Sequence, residues 1–257
     1  MNGLAGKRVI VAGGGNGIGR ATAERLANEG ASVAVGDVNF DAAHAVVQQI
    51  TDAGGAAIAV QFDLADETSV SNLVSSTVEG FGGVDGLYNV GADVSEGVLG
   101  QDGDILGMDI AVWRRTLEVN LIGYALTARA VLPYFIAQGG GSIINTSSAA
   151  AHVGDHSRAA YQTSKAGINA LTRHIAVRWG RDGVRSNAVS PGVVPTTSAE
   201  KMALPPEALE FVRQTIPSTR LGRPEDLAGV VTFLLSDDAV WINGQVWSIN
   251  GGMLLRE

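Results

Sequence analysis

Residues 8–19 read Arg-Val-Ile-Val-Ala-Gly-Gly-Gly-Asn-Gly-Ile-Gly. The short β-branched run Arg8–Ala12, closed by glycines, predicts a buried strand. From Asn16 to Glu29, Ile18, Ala21 and Leu26 fall on or near one face, which predicts a helix directly after it. Glycines between a strand and a helix let the backbone turn sharply and approach an anion. The helix N-terminus supplies free N–H groups and a partial positive charge. The stretch therefore reads as a cradle for a pyrophosphate. Gly13, Asn16, Gly17, Ile18 and Gly19 are its candidate contacts.

A glycine-rich run alone is weak evidence. An acid at the end of the next strand strengthens it. Ala31–Gly36 predicts that strand, and Asp37 follows it, 18 residues beyond Gly19. Its carboxylate would accept both hydroxyls of an adenosine ribose and repel a 2′-phosphate. Asn16 and Val38 flank the position where a base would be needed to rescue that phosphate, so NAD is favoured over NADP.

Outward from this unit the pattern alternates. Strands are predicted at Ala56–Phe62, Gly86–Asn89, Ser142–Asn145, Val184–Val189 and Gln245–Ile249. Helices are predicted at Asp41–Ala53, Asp66–Gly80, Val112–Gln138 (with Pro133 near its end) and Arg158–Trp179. Such alternation implies βαβ units and a doubly wound, Rossmann-type parallel sheet of about seven strands, with helices on both faces. No linker divides the chain, so residues 1–257 read as one domain. Two segments break the rhythm. Asp93–Asp109 carries five acids and no base. Around 196–217, Met202, Leu204, Leu209, Phe211 and Ile216 suggest an apolar substrate lid, with a helix start at Pro205–Pro206.

Composition excludes several classes. There are 257 residues and no cysteine, which removes disulfides, thiolate metal sites and a cysteine nucleophile. The formal charge is −8, so nucleic acid is not an expected partner. No apolar run approaches a membrane span, and Val9–Ala12 is too short for a signal-peptide core, so a cytoplasmic protein is expected. His152 and His156 are four apart, a metal-ligand spacing, but no third ligand is near. They are read as pocket wall, and no metal is expected. Asp102-Gly103-Asp104 lacks a calcium loop's spacing and is read as solvated rim. Arg173, Arg178, Arg181 and Arg185 read as structural or as a subunit contact.

Tyr161 and Lys165 lie four apart on a predicted helix, on one face. A free phenol is a poor base at neutral pH. A neighbouring cation favours the phenolate and fits it to take a proton from an alcohol.

Taken together, these motifs resemble the short-chain dehydrogenase/reductase family from about Lys7 to Gly252. The family's Thr-Gly-x3-Gly-x-Gly matches residues 12–19 with Ala12 in place of Thr, and its Tyr-x3-Lys matches Tyr161 and Lys165. Its serine, thirteen residues before the tyrosine, falls on Ser148, and its helix asparagine on Asn120. The acid near the adenine falls on Asp63, with Leu64 beside it. The Pro-Gly turn falls on Pro191 and Gly192, followed by Val194 and Thr196. Arg223-Pro-Glu-Asp-Leu and Asn250-Gly-Gly also match. Asn-Asn-Ala-Gly is here Asn89-Val90-Gly91-Ala92, which keeps Asn89 and a small residue at Gly91, both of which the resemblance implies as cofactor contacts.

The resemblance implies hydride transfer between NAD(H) and a secondary alcohol or ketone. Tyr161 would be the general acid/base. Lys165 would lower its pKa and bond the nicotinamide ribose. Ser148 would hold the substrate oxygen, and Asn120 a water behind Lys165. Val194 and Thr196 would fix the carboxamide. It also implies a homotetramer or homodimer. The lid composition suggests an apolar or cyclic substrate, steroid-like or terpenoid-like. Two rivals are a 3-oxoacyl-carrier reductase of the same family, disfavoured by Asp37 and the acidic surface, and a non-catalytic NAD-binding regulator.

Overall fold

The computed structural model describes residues 1–196, 210 and 213–255. Seven strands form one sheet: β1 (Arg8–Ala12), β2 (Ser32–Asp37), β3 (Ala56–Gln61), β4 (Gly86–Asn89), β5 (Gly141–Thr146), β6 (Val184–Pro191) and β7 (Val246–Ile249). Their order is β3-β2-β1-β4-β5-β6-β7, and every pairing is parallel. The order reverses between β1 and β4, so the crevice outside their C-terminal ends is the natural ligand position of such a sheet.

Among the described residues the principal α-helices are α1 (Gly17–Asn28), α2 (Phe40–Asp52), α3 (Glu67–Phe81), α4 (Ile110–Leu117), α5 (Gly123–Ala137), α6 (Ala159–Trp179) and α7 (Pro224–Leu235). They cover both faces. On β1, Val9 and Val11 pack among Leu26 of α1 and Leu227, Val231 and Leu234 of α7. Ile10 and Ala12 point the other way, among Leu73 of α3, Val131 and Phe135 of α5 and Ile168 of α6. Burial on both faces is why the strands read as continuous apolar runs rather than alternating ones.

The long helix expected over Val112–Gln138 is interrupted. Between α4 and α5, residues Glu118–Ile122 form a π-helical turn, and Asn120 sits inside it. Pro133 lies within α5 rather than at its end. The membrane expectation also needs amending. The helical run Ile110–Ala137, π-turn included, is long and apolar enough to cross a membrane by length and composition, but half of its apolar window is buried inside the protein. Tyr124, Val131 and Phe135 belong to the core. The segment expected as a lid lies mostly outside the described residues: Met202, Leu204, Leu209, Phe211 and the Pro205–Pro206 start are among those not described, while Ile216 is buried.

Candidate active site

The loop after β1 is built by glycine at positions where a side chain has no room. Gly13 has φ +99°, and a Cβ there would lie 2.4 Å from Gly91 Cα. Gly91 and Val90 in turn donate N–H bonds to the Ala12 carbonyl at 2.8 and 3.0 Å. The loops after β1 and β4 are thus joined backbone to backbone, without the threonine hydroxyl that Ala12 lacks. At Gly19 a Cβ would lie 2.0 Å from the Gly13 carbonyl oxygen, so the first turn of α1 lies against the loop.

The N-terminus of α1 is open. Asn16 makes no side-chain cap, and the first turn carries no acid. By contrast α2, α3 and α4 are capped by Asn39, Asp66 and Asp109. Asp37 is half-buried at the end of β2. One carboxylate oxygen accepts from Gly15 N at 2.8 Å and the other from Asn39 N at 2.9 Å. Beside it, Val38 and Asn16 are exposed and uncharged. A glycine cradle, an open helix N-terminus and an acid at the second strand form a donor set that fits a dinucleotide.

The other sequence candidates line the same rim. Asp63 Oδ1 accepts from Ala65 N at 2.9 Å, and Leu64 is buried. Pro191 ends β6 opposite Ile249. Gly192 and Val194 line a cavity of about 190 Å³ with Ile216, Asn250 and Gly251. Thr196 lies against the glycine loop: a Cβ on Gly17 would come 2.9 Å from its methyl carbon.

The Asn89 side chain is turned away from the rim. It is fully buried; its Nδ2 donates to Asn145 Oδ1 at 3.0 Å, and its Oδ1 accepts from Thr127 at 2.8 Å. Asn145 passes the chain on to Thr172 at 3.0 Å. Both ends of the Asn89 amide are committed to joining β4, β5, α5 and α6. Buried amides need such partners, and these bonds turn the side chain into the core.

At the ends of β5 and α6, Ser148, Tyr161 and Lys165 come together. Lys165 is 1% exposed, and its ammonium donates to the Thr146 carbonyl at 2.9 Å. It sits 5.5 Å from the Tyr124 ring centre and 5.6 Å from that of Tyr161. Burial pushes its pKa down to about 7. The Tyr161 phenol moves opposite to expectation. Burial pushes it up, and hydrogen bonding to Ser148 and the charge of Arg158 pull it down only in part. The physical reason is burial: the phenol lies among packed side chains, where its charged form loses solvation, while the Lys165 ammonium is turned to the Thr146 carbonyl. In the π-helical turn, Asn120 is fully buried. Its Oδ1 accepts from Asp93 N at 2.9 Å, while its Nδ2 has no partner among the described residues. π-turns of this kind recur at functional positions.

His152 lies 3.3 Å from the Asn169 amide, while His156 is exposed in the loop before α6. The reading of Asp102 as solvated rim is overturned. Asp102 is 4% exposed, and its carboxylate accepts from Ala160 N at 3.1 Å and Tyr161 N at 2.7 Å. Only Asp104 fits that description: it is exposed and caps its own turn at Leu106 and Gly107. Tyr124 was also missed. Its hydroxyl donates to the Gly91 carbonyl at 3.1 Å. No spacing rule marks either residue. A cavity of about 580 Å³ lies elsewhere, beside the N-terminal ends of β5 and β6 with Arg185 and Trp241 in its wall. None of the candidate residues line it.

Comparison with known proteins decides the family. The family model described as Enoyl-(Acyl carrier protein) reductase matches residues 12–254. An uncharacterized oxidoreductase of Mycobacterium tuberculosis is 41% identical over 251 residues, covering 97% of this chain and 98% of its own. The chain belongs to the short-chain dehydrogenase/reductase family. Another member, the cis-4-hydroxycyclohexanecarboxylate dehydrogenase of Sinomonas cyclohexanicum, is 36% identical over 97% of each chain. A 7α-hydroxysteroid dehydrogenase, solved with NADH and 7-oxo glycochenodeoxycholic acid, superposes with a TM-score of 0.91. It is 35% identical and covers 97% of this chain and 95% of its own. This short-chain dehydrogenase/reductase is therefore an oxidoreductase in fold and family alike.

Proposed function

We propose that the chain is an NAD(H)-dependent dehydrogenase that interconverts a secondary alcohol and a ketone. The observation that carries the reading is the grouping of Ser148, Tyr161 and Lys165 at the same C-terminal edge of the sheet as the glycine cradle and Asp37. The nicotinamide, when bound, supplies the hydride acceptor or donor. Gly13, Asn16, Gly17, Ile18 and Gly19 would hold its pyrophosphate, and Asp37 the adenosine ribose, with Val38 beside it. Asp63 and Leu64 would flank the adenine, and the backbone of Asn89 and Gly91 would line the ribose. Pro191, Gly192, Val194 and Thr196 would hold the carboxamide end.

In alcohol oxidation the Tyr161 oxygen takes the hydroxyl proton. Ser148 positions the substrate oxygen by hydrogen bonding. Lys165 would hold the nicotinamide ribose and, when protonated, would favour the phenolate of Tyr161. Asn120, with its unpartnered buried Nδ2, supports a water that carries the proton onward.

The substrate class is a cyclic or otherwise apolar alcohol, supported by relatives named for a hydroxycyclohexane and a hydroxysteroid. The protein is soluble and cytoplasmic, and it assembles as a homotetramer. Exposed Tyr134 and Ile136 on α5 and Val177 on α6 support apolar subunit contacts. The test is a panel of aliphatic, cyclic and steroid alcohols followed at the nicotinamide absorbance band, with NAD and NADP side by side. The reading requires NAD-linked turnover of a cyclic or apolar alcohol. Preference for small polyols would overturn the substrate class, and equal activity with NADPH the cofactor.

A further inference from the structure

The N-terminus of α6 lacks everything that normally caps a helix. Arg158 at the cap position makes no side-chain bond to the helix, and no acid lies in the first turn. Arg158 also has φ +62°, the one non-glycine residue with positive φ among the described residues. Yet Tyr161 lies in that first turn, where orphan N–H groups otherwise fray.

The missing partner comes from 58 residues away. The buried Asp102 carboxylate spans the turn, one oxygen on Ala160 N at 3.1 Å and the other on Tyr161 N at 2.7 Å. Its own carbonyl accepts from Arg158 N at 2.8 Å, which holds the left-handed residue in place. A carboxylate at a helix N-terminus is favoured by two charge-assisted bonds and by the helix dipole, which offsets its burial. The segment that carries Asp102 also meets Asn120, through Asp93 N at 2.9 Å. One connection thus touches the backbone of Tyr161 and the side chain of Asn120. Lys165 lies a turn further on and has its own anchor in the Thr146 carbonyl.

We infer that Asp102 is a positioning residue for Tyr161: it caps α6 in trans and sets where the phenol stands relative to Ser148. The inference rests on the proposed dehydrogenase reading for its catalytic consequence, but not for its structural one. It separates two quantities that general destabilisation would move together. Loss of the cap frays Ala159–Gln162 and displaces Tyr161, while the cofactor cradle and Lys165 keep their own supports.

The test compares Asp102→Ala and Asp102→Asn with the wild type and with Asp104→Asn, an exposed control two residues on. Asp102→Ala is expected to lower kcat by about 10–100-fold, the effect of a misplacement of about 1 Å. NADH affinity should change by less than about threefold, under about 0.7 kcal/mol. Amide exchange at Ala160 and Tyr161 should rise at least about tenfold while the β1 and β4 amides stay protected. Asp102→Asn should recover part of kcat, since its oxygen can still accept from Tyr161 N–H, and Asp104→Asn should match the wild type. If Asp102→Ala does not fold, Asp102→Asn carries the same comparison with a smaller loss. The inference is overturned if the Asp102 variants keep wild-type kcat and exchange. It is equally overturned if kcat, NADH affinity and global protection fall together. If the wild type oxidises no alcohol at all, the dehydrogenase reading fails, and the exchange at Ala160 and Tyr161 still decides the cap.

Discussion

Removing the Asn89 side chain separates a structural role from a ligand-binding one. Asn89→Ala deletes the 3.0 Å bond to Asn145 Oδ1 and the 2.8 Å bond from Thr127. Thr127 keeps a second acceptor, the Tyr124 carbonyl at 3.0 Å. Asn145 Oδ1, fully buried, loses its donor. An orphaned buried acceptor costs about 1–3 kcal/mol and the second lost bond about 0.5–1.5 kcal/mol. The sum is about 1.5–4.5 kcal/mol, or roughly 3–18 °C in Tm for a domain of this size. Calorimetry at pH 7 measures that fall, and fluorescence titration at low temperature measures NADH affinity. Affinity should stay within about threefold of wild type, because the amide faces the core. An Asn89→Ala/Asn145→Ala double variant should lose less than the sum of the single losses, as members of one network do. The reasoning is refuted if Tm is unchanged while NADH affinity falls tenfold or more.

Two further perturbations address the charges. Asp37→Asn keeps an acceptor for Gly15 N but removes the carboxylate charge, so the ratio of NAD to NADP efficiency should fall by about 10–100-fold. An unchanged ratio in paired kcat/KM measurements would remove Asp37 from cofactor selection. Lys165 has its folded pKa depressed from 10.5 to about 7, so between those values the unfolded chain binds the extra proton and stability rises with pH. Lys165→Met should therefore be most stabilising, relative to wild type, below pH 7. Its Tm advantage should shrink steadily towards pH 10, and a gap that widens with pH would contradict the burial argument.

Much of this was legible in the chain itself. Residues 8–19 and Asp37 announced a parallel sheet with a phosphate cradle because strand, turn and helix chemistry are all local. Family spacing located Ser148, Tyr161 and Lys165. What stayed hidden depends on contacts distant in sequence. Asp102 and Asp104 are two residues apart and chemically identical, yet one is buried on α6 and the other caps a surface turn. The side-chain amide of Asn89 bonds Asn145 and Thr127, partners 56 and 38 residues away, which its motif does not announce. The π-turn at Asn120 leaves no mark in an apolar run that continues through it. The direction of the Tyr161 shift was missed because charge was weighed without burial, and burial of both Tyr161 and Lys165 dominates.

The central claim is that Tyr161 handles the proton while a bound nicotinamide handles the hydride. Tyr161→Phe keeps the ring and removes only the hydroxyl. Followed at the nicotinamide band with the best alcohol from the panel, it should lose about 10²–10⁴-fold in kcat. NADH should bind as it does to wild type. Turnover at the wild-type rate by Tyr161→Phe, with NADH bound, would contradict the account.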